Sequence, residues 1–384
     1  MIVLVKNADV YAPKHVGRRD ILICDQKIAA IEEKIEISAP DLKVMDVQGK
    51  ALVPGFLDGH MHITGGGGED GYASRVPECR LSELVSVGIT TVLGLLGTDS
   101  ISRSLENLYA KACALDNEGI SAYMLTGGYR YPSPTITGNV MKDIYLINKV
   151  IGVKIAASDH RSSALSSNEF ARLATEARIG GLISGKPGLV VVHMGNSEKT
   201  LQPIYDMLNS SDVPINNILP THCGRGERLF QAAVEYGKRG GNFDLTAVPQ
   251  NGGAQTTAAE WVKKALDAGV DIKQITISSD AYGSQPKFNE RMECIGIEYA
   301  KGPLLHEELK RMVQEWGMPL EIALMPITQN VAERMGLRGK KGVLEKGSHA
   351  DFVVMDKGLN ICHVFAKGKA AVLDGKILMK GVYE

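Results

Sequence analysis

Eight apolar runs alternate with helix-patterned stretches through the middle of this chain, and that alternation restricts the fold more than any other feature. The runs are Val53–His62, Ile89–Leu96, Ala122–Thr126, Val150–Ala156, Leu189–His193, Ile215–His222, Phe243–Ala247 and Ile275–Asp280. Near-continuous apolar runs separated by amphipathic segments read as parallel strands covered on both faces. Helices are predicted over Ser102–Asn117, Glu169–Ile179, Leu201–Leu208, Arg228–Lys238 and Ala258–Ala268, with more over Leu305–Trp316 and Leu320–Met335. Eight such units predict an α/β fold, a (β/α)8 TIM barrel over residues 53–340.

The two ends have a different texture. Short β-like runs occur at Ile2–Val5, Ile21–Cys24, Ile28–Ile31 and Val44–Val47, and again at Phe352–Met355, Val364–Ala366 and Ala371–Leu373. Residues 1–52 are too few for a comfortable core of their own. Residues 1–52 and 341–384 are therefore expected to form one small β-sandwich-like domain, with the barrel inserted between them.

Composition excludes several classes of function. The net charge is −1, so no global field draws the chain to nucleic acid or to an anionic membrane. No apolar run approaches the roughly 20 residues a spanning helix needs. The opening residues read as a strand and lack the basic and long apolar regions of a signal peptide. Six cysteines are scattered without a Cys-x-x-Cys pair, which points to free thiols and a reducing cytoplasm. Cys223, beside His222, is read as packing rather than as a ligand.

Chemistry gathers at the ends of the runs. His60 and His62 are two residues apart, so a strand presents both imidazoles on one face. His193, His222 and Asp280 close three later runs. Each has a plain alternative: a hydrogen-bonded core histidine, a helix-entry residue, or a helix cap. Parallel strands of a barrel nevertheless converge at their C-terminal ends, and together these residues read as a metal-ligand set. Lys154 interrupts an otherwise apolar strand. An edge strand would let it snorkel to solvent, but a barrel has no edge. Burial would lower its pKa and expose a neutral amine, which can add carbon dioxide to give a bridging carbamate. Two metals held by four imidazoles, the carbamate and Asp280 would activate a bridging hydroxide at neutral pH. Mixed imidazole and carboxylate donors favour zinc, two Zn2+ per subunit.

Asp58-Gly59-His60-Met61-His62, the strand lysine, His193, His222 and Asp280 resemble the binuclear amidohydrolase superfamily in order and placement. Val53-Pro54-Gly55 and the tail Gly342–Asp351 do so too. Within it the chain looks most like the isoaspartyl (β-aspartyl) dipeptidases. That likeness lies in Gly65–Glu69, Gly94–Asp99, Thr126–Tyr129, Gly152-Val153-Lys154 with Ser158-Asp159-His160-Arg161, Pro220-Thr221-His222, and Ser278-Ser279-Asp280 with Gly283–Pro286. Residues 248–257 match least clearly and are given no site role.

The resemblance implies hydrolysis of β-aspartyl dipeptides by a metal-bridging hydroxide. It implies that Asp280 binds metal and shuttles the proton, and that Tyr129 donates to the oxyanion. Glu69 would hold the substrate ammonium, Arg161, Arg225 and Ser284 its carboxylates, and Thr98 and the Gly67 backbone would complete the pocket. Arg130 and Arg228 are competitors read as surface residues. The resemblance further implies a homo-oligomer, specifically an octamer. Two other readings stand beside this one. A dihydroorotase or hydantoinase acting on a cyclic amide would share every ligand and differ in the substrate loops, chiefly at Glu69. A non-catalytic barrel used as an assembly scaffold would have no need of the full ligand set.

Overall fold

A computed structural model describes residues 1–249, 256–288, 294–300 and 304–384. Each of the eight predicted runs contains a strand. Phe56–Met61, Ile89–Gly94, Ser121–Gly127, Val150–Ala157, Leu189–Met194 and Ile218–Thr221 pair in that order as a six-stranded parallel sheet. Phe243–Thr246 and Ile275–Ser278 form a second parallel pair. Backbone bonds bridge the two sheets where the ladders end. Cys223 N–H donates to the Asp244 carbonyl, and Asp280 N–H donates to the His60 carbonyl. The parallel sheet is thus curled, with the end of the last strand against the end of the first.

Strand periodicity sorts the side chains. On Leu189–Met194, Leu189 and Val191 join an inner apolar cluster with Leu57, Leu93, Leu125 and Leu219. Val190, Val192 and Met194 pack outward into the larger core shared with the helices. His193 follows Val191 at the next inward position. The same parity turns Lys154 inward, because its neighbours Val153 and Ile155 belong to the outer core. All eight residues of Val150–Ala157 are buried, so Lys154 has no route along which to snorkel.

The helices begin and end on recognisable signals. Ser166 and Glu169 form a reciprocal capping box at the start of Ser167–Ser184, and Gly185 closes that helix at φ 67°. Ser104 caps Leu105–Glu118 and Thr257 caps Ala258–Asp267. The helix predicted over Leu320–Met335 is broken. It runs as Leu320–Ala323, a single 3-10 turn Met325–Ile327, and Gln329–Arg334. Pro326 lacks the N–H that a continuous helix needs at that point. The strand predicted from Ile215 begins at Ile218, after a 3-10 turn. Short helices at Leu81–Ser86 and Val140–Leu146, and a hairpin of Ser284–Phe288 with Cys294–Tyr299, were not anticipated.

The two chain ends build one sheet of nine strands. Phe352–Met355 pairs antiparallel with Ala51–Pro54, which pairs in turn with Ile2–Tyr11. Val5, Ile21, Ile23, Leu52, Phe352 and Val354 fill its core. Asp116, after the second long run, receives Lys149 and Lys367 at 3.0 Å each, tying the C-terminal strands to the parallel sheet. Among the described residues, no helix is long and apolar enough to cross a membrane.

Candidate metal centre and active site

Asp58 sets the geometry of the first histidines. Its carboxylate accepts the His60 and Ser279 N–H groups at 3.2 Å each, and the Ser279 hydroxyl as well. Burial pushes its pKa up to about 7. This clasp ties the first parallel strand to the end of the last and leaves Asp280 beside both histidines. Asp280 Oδ1 lies 3.2 Å from His62 Nε2 and 3.6 Å from His60 Nε2, and Asp280 Oδ2 lies 3.8 Å from His222 Nδ1. Asp280 and His222 adopt φ of 49° and 64°. A left-handed backbone at a non-glycine residue is uncommon and persists only where its surroundings hold it.

Glycine makes room for the His62 ring. A Cβ on Gly97 would fall 2.9 Å from His62 Cε1, and one on Gly283 would fall 2.9 Å from His62 Cδ2. Gly97 and Gly283 therefore leave a slot that fits an imidazole.

His60, His222 and Asp280 each offer a donor atom within 4.8 Å of the others. Lys154 Nζ lies 2.6 Å from His60 Nε2. His193 meets the group ring to ring, its centroid 4.6 Å from that of His222. Burial, followed by neighbouring cations, holds His60, His193 and His222 well below the ordinary histidine value. Burial likewise lowers Lys154 to about 7. Burial thus favours the neutral form of His60, His193, His222 and Lys154 beside the Asp280 carboxylate. His60 Nδ1 and Asp280 Oδ1 are buried without a hydrogen-bond partner among the described residues. Deprotonated nitrogen and oxygen donors with unfilled lone pairs are what a divalent cation requires, so the residues present fit the metals their pattern implies.

The charged residues lie on the side of His193. The Tyr129 hydroxyl is 2.7 Å from His193 Nδ1. Tyr129 is buried, and burial raises its pKa, so the phenol keeps its proton. Arg161 Nη1 approaches Glu69 Oε1 and Thr98 Oγ1 at 3.4 Å each. Glu69 Oε2 is buried with no partner among the described residues. Arg225 Nη1 donates to the Met194 carbonyl at 3.0 Å and lies 3.1 Å from His193 Nε2. Gly67 sits at φ 80°, where a Cβ would collide with the Ser74 carbonyl oxygen. Ser284 is half-buried at the start of the hairpin. Arg130 is exposed, and Arg228 points to solvent beside Glu198. Cys223 is buried with its thiol toward the Pro220 carbonyl, and burial raises its pKa, away from the thiolate a metal would need.

Three residues here escaped the sequence reading. Asp159, in the Ser158-Asp159-His160-Arg161 stretch, bonds both Arg161 and His193. Burial would raise its pKa, but hydrogen bonds from Arg161 and His193 outweigh that and hold it well below the usual carboxylate range. Thr246 Oγ1 lies 2.7 Å from His222 Nδ1, and Asp244 accepts the hydroxyls of Thr221, Thr276 and Ser278. For Asp244 and Thr246 the sequence signal was polarity inside an apolar strand. Of the 248–257 stretch, residues 250–255 lie outside those described.

A curled parallel β/α sheet with histidines, an aspartate and a lysine at its strand ends defines a hydrolase class, and a family model described as "Amidohydrolase family" matches residues 232–374. The chain belongs to the amidohydrolase family. It is 39% identical to a β-aspartyl dipeptidase of Fervidobacterium islandicum AW-1 solved in complex with β-Asp-Leu dipeptide. That likeness covers 98% of each chain, with a TM-score of 0.91. An N-acetylglucosamine-6-phosphate deacetylase of Caenorhabditis elegans is 34% identical, covering 94% of this chain and 91% of that one. A dihydroorotase of Elusimicrobium minutum (strain Pei191) is 46% identical over 107 residues, 27% of this chain and 24% of that protein. The chain thus matches about a quarter of the length of that curated relative.

Proposed function

We propose that this protein is a metal-dependent hydrolase of β-aspartyl dipeptides. The observation that carries the reading is the opposition of Glu69 and Arg161 at 3.4 Å, with Arg225 alongside and the His, Asp and Lys cluster next to them. A β-aspartyl dipeptide presents one ammonium and two carboxylates around its scissile amide, and this pocket offers a matching set of opposite charges. The full-length likeness to a dipeptidase crystallised with β-Asp-Leu supports the same substrate class.

His60, His62, Lys154, His193, His222 and Asp280 would hold two divalent cations, zinc by donor type. The neutral Lys154 amine would bond carbon dioxide through Nζ and release a proton, giving the carbamate that completes the set. When bound, the metals supply Lewis acidity and lower the pKa of a water molecule. The protein's own groups do the rest. Glu69 takes the substrate ammonium. Arg161, Arg225 and Ser284 take the carboxylates, for which the planar guanidinium fork is suited. Thr98 and the Gly67 backbone line the remaining wall. Tyr129 keeps its proton and donates to the carbonyl oxygen as negative charge grows there. Asp280 accepts a proton from the attacking water and passes it to the leaving amide nitrogen.

The eight parallel strands are read as one closed (β/α)8 barrel over 53–340. Residues 1–52 and 341–384 are read as a sandwich-like domain. A cytoplasmic homo-oligomer, an octamer by resemblance, completes the proposal. The second reading, ring opening of a cyclic amide, has the partial dihydroorotase match in its favour. The test compares kcat/KM for β-Asp-Leu, α-Asp-Leu and dihydroorotate at identical metal loading. Dipeptidase function requires β-Asp-Leu to be fastest by a wide margin; faster opening of dihydroorotate selects the second reading.

A further inference from the structure

We propose that Asp159 is a positioning residue that sets His193 and Arg161 with one carboxylate, so that the metal side and the substrate side of the pocket are placed together. The inference rests on the reading of His193 as a ligand and Arg161 as a carboxylate clamp.

Arg161 bonds both oxygens, and His193 meets only Oδ2. Oδ1 accepts the Arg161 backbone N–H at 2.8 Å and its Nε–H at 2.9 Å. Oδ2 accepts Arg161 Nη2–H at 2.9 Å and lies 3.1 Å from His193 Nε2. The Asp159 side chain is only 4% exposed, so water does not substitute for these partners. With the His193 ring neutral, a proton on Nε2 serves Asp159 and leaves Nδ1, which faces the Tyr129 hydroxyl at 2.7 Å, as the ring's lone-pair nitrogen. A carboxylate that fixes the tautomer and tilt of a ligand histidine is a recurrent arrangement around metals.

Two further observations make Asp159 necessary. Arg161 Nη2 and Arg225 Nη1 lie 3.4 and 3.1 Å from His193 Nε2. Without Asp159, two guanidinium groups would face a ligand ring with no negative charge between them. The segment carrying Arg161 is also poorly backed. A cavity of about 500 Å3 is lined by Asp159 and its neighbours Ser158, His160 and Ser162, together with Phe170 and Pro203. Close packing, the usual means of fixing a segment, is therefore incomplete along the residues that flank Arg161. The Asp159 bonds take its place.

Asparagine separates the two duties. It retains one acceptor oxygen for His193, but its NH2 would face the Arg161 donors. The experiment titrates Zn2+ into metal-free wild type, Asp159→Ala, Asp159→Asn and Arg161→Ala against a chromophoric chelator, then measures KM and kcat on β-Asp-Leu after full loading. Asp159→Ala should weaken zinc binding by about 10–100-fold, a larger loss than Arg161→Ala causes. Asp159→Asn should hold zinc close to wild type yet raise KM by roughly tenfold or more, the effect of losing charge-assisted hydrogen bonds. Wild-type zinc affinity in Asp159→Ala, or wild-type KM in Asp159→Asn, overturns the proposal. If Asp159→Ala does not fold, a wild-type KM in Asp159→Asn still overturns it. A wild type that binds zinc but leaves β-Asp-Leu intact refutes the dipeptidase reading; the zinc titrations then still decide the link to His193.

Discussion

Lys154 Nζ stands 2.6 Å from His60 Nε2, a lysine and a histidine in contact with no water between them. Two cations could not share that spacing in a buried site, and burial lowers both groups toward neutrality. With its pKa at about 7, part of the lysine is a neutral amine at neutral pH, and that part would be the nucleophile toward carbon dioxide. Lys154→Ala should lose bound metal and turnover together, with partial recovery of both on adding a short-chain carboxylic acid. Metal analysis and carbon NMR of protein loaded with labelled bicarbonate check this. An unlabelled lysine in fully metal-loaded protein would contradict it.

Asp280 is expected to move the proton as well as to bind. Asp280→Asn should cut kcat by roughly 10²–10⁴-fold, the usual contribution of a general acid–base group, with much of the metal retained. Near-native turnover in that variant would place the proton shuttle elsewhere.

Substrate termini should matter as much as the bond. Glu69 faces Arg161, and its second oxygen is buried and unpaired among the described residues. Glu69→Gln, or an acetylated substrate, leaves one partner of a desolvated charge pair alone, at a cost of about 2–5 kcal/mol. The loss should appear in kcat/KM for β-Asp-Leu and be smaller for an uncharged amide. Equal rates on blocked and free dipeptides would remove the case for a dipeptidase.

The His62 slot predicts a metal defect from a methyl group. Gly97→Ala would bring Cβ within 2.9 Å of His62 Cε1, forcing the ring to tilt. Metal content should fall while the folded core survives, since the change lies at a strand end. Full metal occupancy with unchanged kcat would show that the ring has room to spare.

Asp244 supplies a pH signature of stability. Burial raises its pKa from 3.8 to about 6 despite three hydroxyl donors. The folded state thus binds a proton that the unfolded state has released. The stability this contributes is fully present below pH 3.8 and is lost as pH rises through 6. The interval amounts to about 3 kcal/mol. Asp244→Asn stays uncharged, so metal-free wild type should lose stability relative to this variant between pH 4 and 6. Urea unfolding of both proteins across that range measures the difference; a constant difference would mean that Asp244 is ionised throughout.

Much of this was legible in the chain itself. Period-two alternation decides which side of a strand a residue faces, so Val191 and His193, or Val153 and Lys154, are assigned inward or outward by local geometry alone. The positions of the six strands of one parallel sheet and the two of another followed from apolar runs of the right length, and the pairing of the two ends followed from cores too small to stand separately. Those are properties of neighbouring residues, and sequence records them directly.

The tertiary structure decided what depends on contact between distant segments. Asp159 reaches His193 across adjacent strands, Asp244 gathers hydroxyls from two other strands, and Gly97 and Gly283 matter only because the His62 ring lies between them. No spacing rule predicts such contacts, since loop geometry and the register between strands set them. The break at Pro326 had a local cause, but the 3-10 turn that contains it is buried at all three residues, Met325, Pro326 and Ile327. The sequence by itself determined which groups would face inward; the fold decided which of them touch, because hydrogen bonds form over a few ångströms whatever the distance along the chain.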